Sequence, residues 1–86
     1  MSYRVDWDAV EGEIAALWMN ARDRDAVTAA LHGIDLALQR DPLSCGESRG
    51  TETERLVFDG PVSVLVRVTA PDRVVVLAVG PSGRRP

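Results

Sequence analysis

Valines stand at every second position from Val62 to Val68, with Ser63, Leu65, Arg67 and Thr69 filling the places between them. A period of two puts alternate side chains on opposite faces of an extended chain. Pro61–Thr69 therefore reads as a half-buried strand whose valines point at a core. Asp59-Gly60 before it is a tight-turn dipeptide of the type I′ kind, leading back to a short strand, Arg55–Phe58. Ala70–Arg73 is the next turn and Val74–Val79 the last strand. A meander of this size is not stable alone and needs a second layer. In a chain of 86 residues only the upstream half can supply it.

That half changes period. Tyr3, Val5 and Trp7 alternate, so residues 2–7 form an opening strand. Asp8 then has the character of a helix N-cap, with Glu11 at capping-box spacing. Val10, Ile14, Leu17, Trp18 and Ala21 follow helical spacing. The polar stretch Asn20–Asp25 has the length of a helix–helix connection, and either Asp23 or Asp25 can cap a second helix. Val27, Leu31, Ile34 and Leu38 form its stripe, and Asp41-Pro42 stops it, because a residue before proline is pushed out of the helical region. Leu43–Thr53 reads as a loop and Gly80–Pro86 as a basic tail.

The fold class expected is α+β, with a helical hairpin on one face of a small antiparallel sheet (order β-α-α-β-β-β). It occupies residues 1–80 as a single domain, with 81–86 as a basic tail. Two helices cover one side of such a sheet. The other side should then expose Leu65, Val75, Leu77 and Val79, and Leu36 falls opposite the stripe of its own helix. Apolar area of that kind marks a partner surface, the alternative being a shallow sheet face shielded by long arginine stems such as Arg67.

Composition narrows the chemistry. All ten basic residues are arginine, against 13 acids, for a net charge of −3. This lacks the basic surplus of a protein that tracks a phosphate backbone. No apolar run approaches the roughly 20 residues of a membrane helix, so no membrane partner is expected. The first residues lack the order of a signal peptide, and a lone cysteine, Cys45, makes no internal disulfide. The expected compartment is a reducing cytoplasm. One histidine, His32, and one cysteine form no metal-ligand cluster, and Gly80–Gly83 lacks the spacing of a phosphate loop, so no cofactor is expected.

The ordered set Asp41-Pro42 with Gly46 and Arg49, Arg55-Leu56, Gly60-Pro61 before Val66-Arg67-Val68, and Asp72-Arg73-Val74 before Val76-Leu77 resembles the RelE/ParE family of bacterial toxins. The resemblance spans roughly residues 2–79. It implies the toxin of a type II toxin–antitoxin (plasmid stabilisation) system, held inactive by a co-expressed antitoxin, with a heterotetramer as one form of that assembly. One branch of the family cleaves ribosome-bound mRNA; the other binds DNA gyrase. The alternative is a non-toxic, catalytically degenerate relative that serves as a protein-binding module.

On the ribonuclease branch the resemblance assigns catalysis to Arg49, Arg55, Arg67 and Arg73 on the loop and open sheet face, with Arg84 and Arg85 arriving from the tail. The enzyme would be a metal-independent endoribonuclease. The chain departs from that pattern: Pro61, Val62 and Ser63 follow Gly60 where the family carries an arginine, and no histidine or tyrosine follows the last strand. Cleavage through a 2′-hydroxyl needs a base, an acid and cations for the phosphorane. Arginine supplies only the cation. Glu47, Glu52 or Glu54 could act as base, but would repel phosphate. The simpler reading pairs Arg55, Arg67 and Arg73 with Glu52, Glu54 and Asp72.

Overall fold

The computed structural model describes residues 2–69 and 71–82, apart from the side chains of Arg49, Thr51 and Glu52. Two helices pack on one face of a five-stranded mixed sheet. In chain order the elements are β1 (Arg4–Asp6), α1 (Glu11–Asn20), α2 (Arg24–Arg40), β2 (Glu47–Arg49), β3 (Thr51–Asp59), β4 (Val62–Thr69) and β5 (Arg73–Pro81). The sheet order is β1-β5-β4-β3-β2. The α+β class holds; the sheet, however, is not purely antiparallel, because β1 lies parallel to β5.

The core is where the valine alternation places it. Val62, Val64 and Val66 are fully buried, Val68 nearly so, and Val27, Ala30, Ile34 and Leu38 of α2 cover them. Two ties fix β1 against α2. The Tyr3 N–H donates to the Gln39 carbonyl at 2.7 Å, and the Trp7 indole donates to Asp35 at 2.8 Å, whose other oxygen accepts from Gln39.

Several local expectations are corrected. Asp8 caps nothing: its own N–H donates to the Asp6 carboxylate, and a short 3-10 turn over Asp8–Val10 precedes α1. Asp23 is the cap of α2, accepting from the Ala26 N–H at 3.0 Å. The residues read as a loop contain β2 and the first three residues of β3. Their polar run, Glu-Ser-Arg-Gly-Thr-Glu-Thr-Glu, carries no hydrophobic alternation to reveal them. The hairpin turns at Gly60-Pro61, since Asp59 pairs with Val62. Gly60 at φ 52° followed by proline suits a II′ turn, not the I′ turn of Asp59-Gly60.

The last strand runs two residues further than expected, to Pro81, paired through Gly80 with Ser63 and through Pro81 with Val62. Within it lies a bulge: Val66 faces Val76 but Leu65 faces Ala78, so Leu77 is an extra residue. The bulge reverses the alternation. Val74 and Val76 point at the helices before it, and Val79 does so after it.

Trp18 shares the helical spacing of Ile14 and Leu17, which places it toward the sheet, yet it is 43% exposed. α1 packs its apolar side on the core through Ile14 and Leu17, with Ala21 just beyond its end, and has no fully buried residue. The Arg24 guanidinium lies 4.7 Å from the centre of the Trp18 ring.

Candidate functional site

Register places one side chain set on the face that no helix covers. Across it, Ala78 is paired with Leu65 and Leu65 with Leu56. Leu77 joins this row because the bulge turns both Leu77 and Ala78 away from the core, and Phe58 follows it beside Ser63. The next row is polar: Asp6 beside Val75, Val75 beside Arg67, Arg67 beside Glu54. Arg67 donates to Glu54 at 2.8 Å, and Arg73 donates to Asp6 at 2.8 Å. The face is thus an apolar strip bordered by two ion pairs, with Leu56, Phe58, Leu65, Val75 and Leu77 all half-buried.

The expected partner residues divide. Leu65, Val75 and Leu77 are together on this face. Val79 is not: the Leu77 bulge rotates it into the core, where it is 8% exposed. Leu36 is exposed but lies on α2, in the layer behind the sheet. Leu56 and Phe58 were missed in their place. Their parity with Leu65 becomes readable only once the turn, and so the β3–β4 register, is known.

The arginines divide as well. Arg67 and Arg73 lie on the open face. Arg55 pairs with Val66 and so points to the opposite side, where it donates to the Cys45 carbonyl at 2.9 Å and the Gly46 carbonyl at 3.0 Å. It ties the turn after α2 to β3, not to a carboxylate. Arg73 takes Asp6, not Asp72, as its partner. The side chain of Arg49, and all of Arg84 and Arg85, lie outside the described residues. Arg55, Arg67 and Arg73 therefore do not converge on one phosphate.

Asp6 carries the electrostatics of the N-terminal edge. The Asp8 N–H, and then Arg73, hold its carboxyl below the usual aspartate value of 3.8. A carboxyl whose pKa is lowered by folding stabilises the fold above its unfolded value and ceases to do so as pH falls through the folded one. Titration from neutral pH to below that range is expected to loosen β1 before the β3–β4 hairpin. Amide exchange at Val5 and Asp8 that stays as slow as at Val64 throughout would count against it.

Cys45 is half-buried, and its thiol donates to the Asp41 carbonyl at 3.3 Å. Burial, then the Asp41 charge, pushes its pKa above the ordinary thiol value, with Arg55 opposing. At neutral pH the group is a thiol, not a thiolate. Iodoacetamide should alkylate it more slowly than it does a cysteine in a short peptide, and denaturant should remove the difference. Equal rates would contradict this environment. Among the described residues no three His, Cys, Asp or Glu side chains converge as a metal site.

A concavity of about 810 Å³ opens on the helix side between the tip of the α1–α2 hairpin and the end of the sheet. Leu17, Val27, Pro61, Val79 and Pro81 line it, and at its wall the Glu13 carboxylate accepts from the Val79 N–H at 2.9 Å. Since β1 stops opposite Val75, that N–H has no strand neighbour on the β1 side, and Glu13 supplies the acceptor. No sequence signal announces such a gap, which depends on how far the hairpin tip stands from the sheet.

Comparison with protein-family models, with curated protein sequences and with solved structures returns no match. Among the described residues no helix is long and apolar enough to cross a membrane.

Proposed function

We propose that this chain is a growth-inhibiting toxin of the RelE/ParE kind, acting by binding a large cellular target and neutralised by a co-expressed antitoxin. The order of elements, a strand, a helical hairpin and then a meander, supports the family reading. One observation carries the choice of binding over cleavage: the uncovered sheet face is an apolar strip whose bordering arginines, Arg67 and Arg73, are already paired with Glu54 and Asp6. Paired cations leave little charge for a phosphorane, whereas an apolar strip with a charged border has the makeup of a protein interface. Gyrase is accordingly a better candidate target than ribosome-bound mRNA.

The degenerate, non-toxic relative is the second reading, favoured by Arg55, whose guanidinium holds a turn on the opposite side of the sheet. Expression from a tightly repressed promoter separates the readings. The toxin reading expects growth arrest with intact RNA, relieved by the adjacent reading frame. Fragmented mRNA would restore the ribonuclease reading, and normal growth with a co-purifying partner would favour the binding module.

A further inference from the structure

α1 is held far more loosely than the rest of the fold. Its ten residues fall short of the roughly 12–15 that an isolated helix needs to persist in water. No side chain caps its N-terminus, and Gly12 weakens its first turn. Packing does little to compensate: none of its residues is fully buried, and Ile14 and Leu17 are half-buried against the core. α2 is the opposite case. It has 17 residues, Asp23 as its cap, and Val27, Ala30, Ile34 and Leu38 buried along its length. Stability is therefore uneven across this small domain, and the element with the least buried apolar surface opens first.

The points at which α1 is fastened define what opens. Before it, Val10 in the 3-10 turn is fully buried. After it, the Asp23 cap starts α2, and Arg24 donates to the Trp18 and Met19 carbonyls. Between these ends the helix reaches the sheet through Glu13, whose carboxylate accepts from the Val79 N–H at 2.9 Å. That N–H lies on the side of β5 to which β1 gives no neighbour beyond Val75. A bare strand edge invites unwanted pairing, and a covering helix is one of the ways a protein blunts it. α1 does so here, with a carboxylate standing in for the carbonyl of a missing strand.

We infer that α1 is an independently opening unit, latched to β5 by Glu13, and that its release bares the outer edge of β5 between Val76 and Pro81 while α2 and the sheet stay folded. Val10 and the Asp23 cap remain as its two fixed ends. Latch and helix share one event: when α1 leaves, Glu13 goes with it and the Val79 N–H loses its acceptor. The opening is on the helix side of the sheet, so it is independent of what binds the open face.

Amide hydrogen exchange of the full chain, followed residue by residue at low denaturant, reads this opening. The amides of Ala16, Leu17 and Trp18 should be protected at least about thirtyfold less than those of Ile34 and Leu38. The Val79 amide should exchange with the α1 group, and the Val64 amide with the α2 group. Ile34→Val weakens a contact that is lost only when the whole domain unfolds. It should speed the α2 amides about fivefold and leave the α1 and Val79 amides at the parent's rates. Glu13→Ala should speed the α1 and Val79 amides about tenfold, whereas Glu13→Gln keeps an acceptor oxygen and should speed them less than about threefold. Protected α2 amides show that each variant is folded. α1 amides as slow as those of α2 in the parent overturn the inference. So does a Val79 amide as slow as Val64, an Ile34→Val variant that speeds α1 as much as α2, or a Glu13→Ala variant whose α1 amides keep the parent's rate.

Discussion

Gly46→Ala is expected to cost several kcal/mol, on the order of 3 or more, and to leave the domain largely unfolded at physiological temperature. Two independent features converge on this position. Its φ is 59°, which an L side chain rarely adopts, and a Cβ there would overlap the Leu56 carbonyl oxygen and sit 2.9 Å from the Val57 Cα. All of these neighbours are backbone atoms of β3, so no flexible side chain can move aside. The turn after α2 is pressed against β3 here because Arg55 draws the Cys45 and Gly46 carbonyls onto its guanidinium. Gly12→Ala is the contrast. Nothing lies within 4 Å of its added Cβ, and an exposed helical site should gain roughly 0.5–1 kcal/mol. Chemical denaturation of the two variants beside the parent checks both signs. Equal midpoints for Gly46→Ala and the parent would show that the close approach is not real.

Ile34→Ala is expected to lower stability by about 2–5 kcal/mol. Ile34 is 1% exposed and sits in the middle of the α2 stripe over the valine face, where a small domain has little room to collapse around a hole. Leu17→Ala should cost less, about 1–2 kcal/mol, because Leu17 is half-buried and opens onto the groove at the hairpin tip. Helical spacing alone ranks the two alike, as stripe positions of helices that cover the sheet; the difference in burial sets the ordering. A larger loss at Leu17 than at Ile34 would mean that α1 is packed more deeply than it is here.

The elements with strong periodicity were legible. Val62–Val68, the α2 stripe and the Asp41-Pro42 stop each express a single local rule, and each holds. What failed did so where a non-local contact decides. The polar strand β2 exists because β3 is there to pair with it. The face of Val79 depends on one extra residue, Leu77, that no alternation within β5 can signal. Trp18 is at helical spacing for the core, but α1 turns it outward, under Arg24. The candidate site suffered from the same cause. Arg55 and Arg67 are both odd-numbered residues on neighbouring strands, yet the Gly60-Pro61 turn sets a register that puts them on opposite faces. Leu65, Val75 and Leu77 were found because each lies on the simple alternation of its strand before or at the bulge, and Leu56 and Phe58 were not because they needed the register.

On the proposed function, the open sheet face, with Leu65 and Leu77 in its apolar row, is the surface through which this chain would arrest growth. Leu65→Asp with Leu77→Asp tests it most directly, because both side chains are half-buried on that face and neither points into the core. Growth after induction is followed for the parent and the double variant at matched levels of folded protein, judged by melting temperature. Arrest by the parent and near-normal growth with the double variant are expected. A parent that leaves growth untouched, or a double variant that arrests it as fast as the parent, contradicts it.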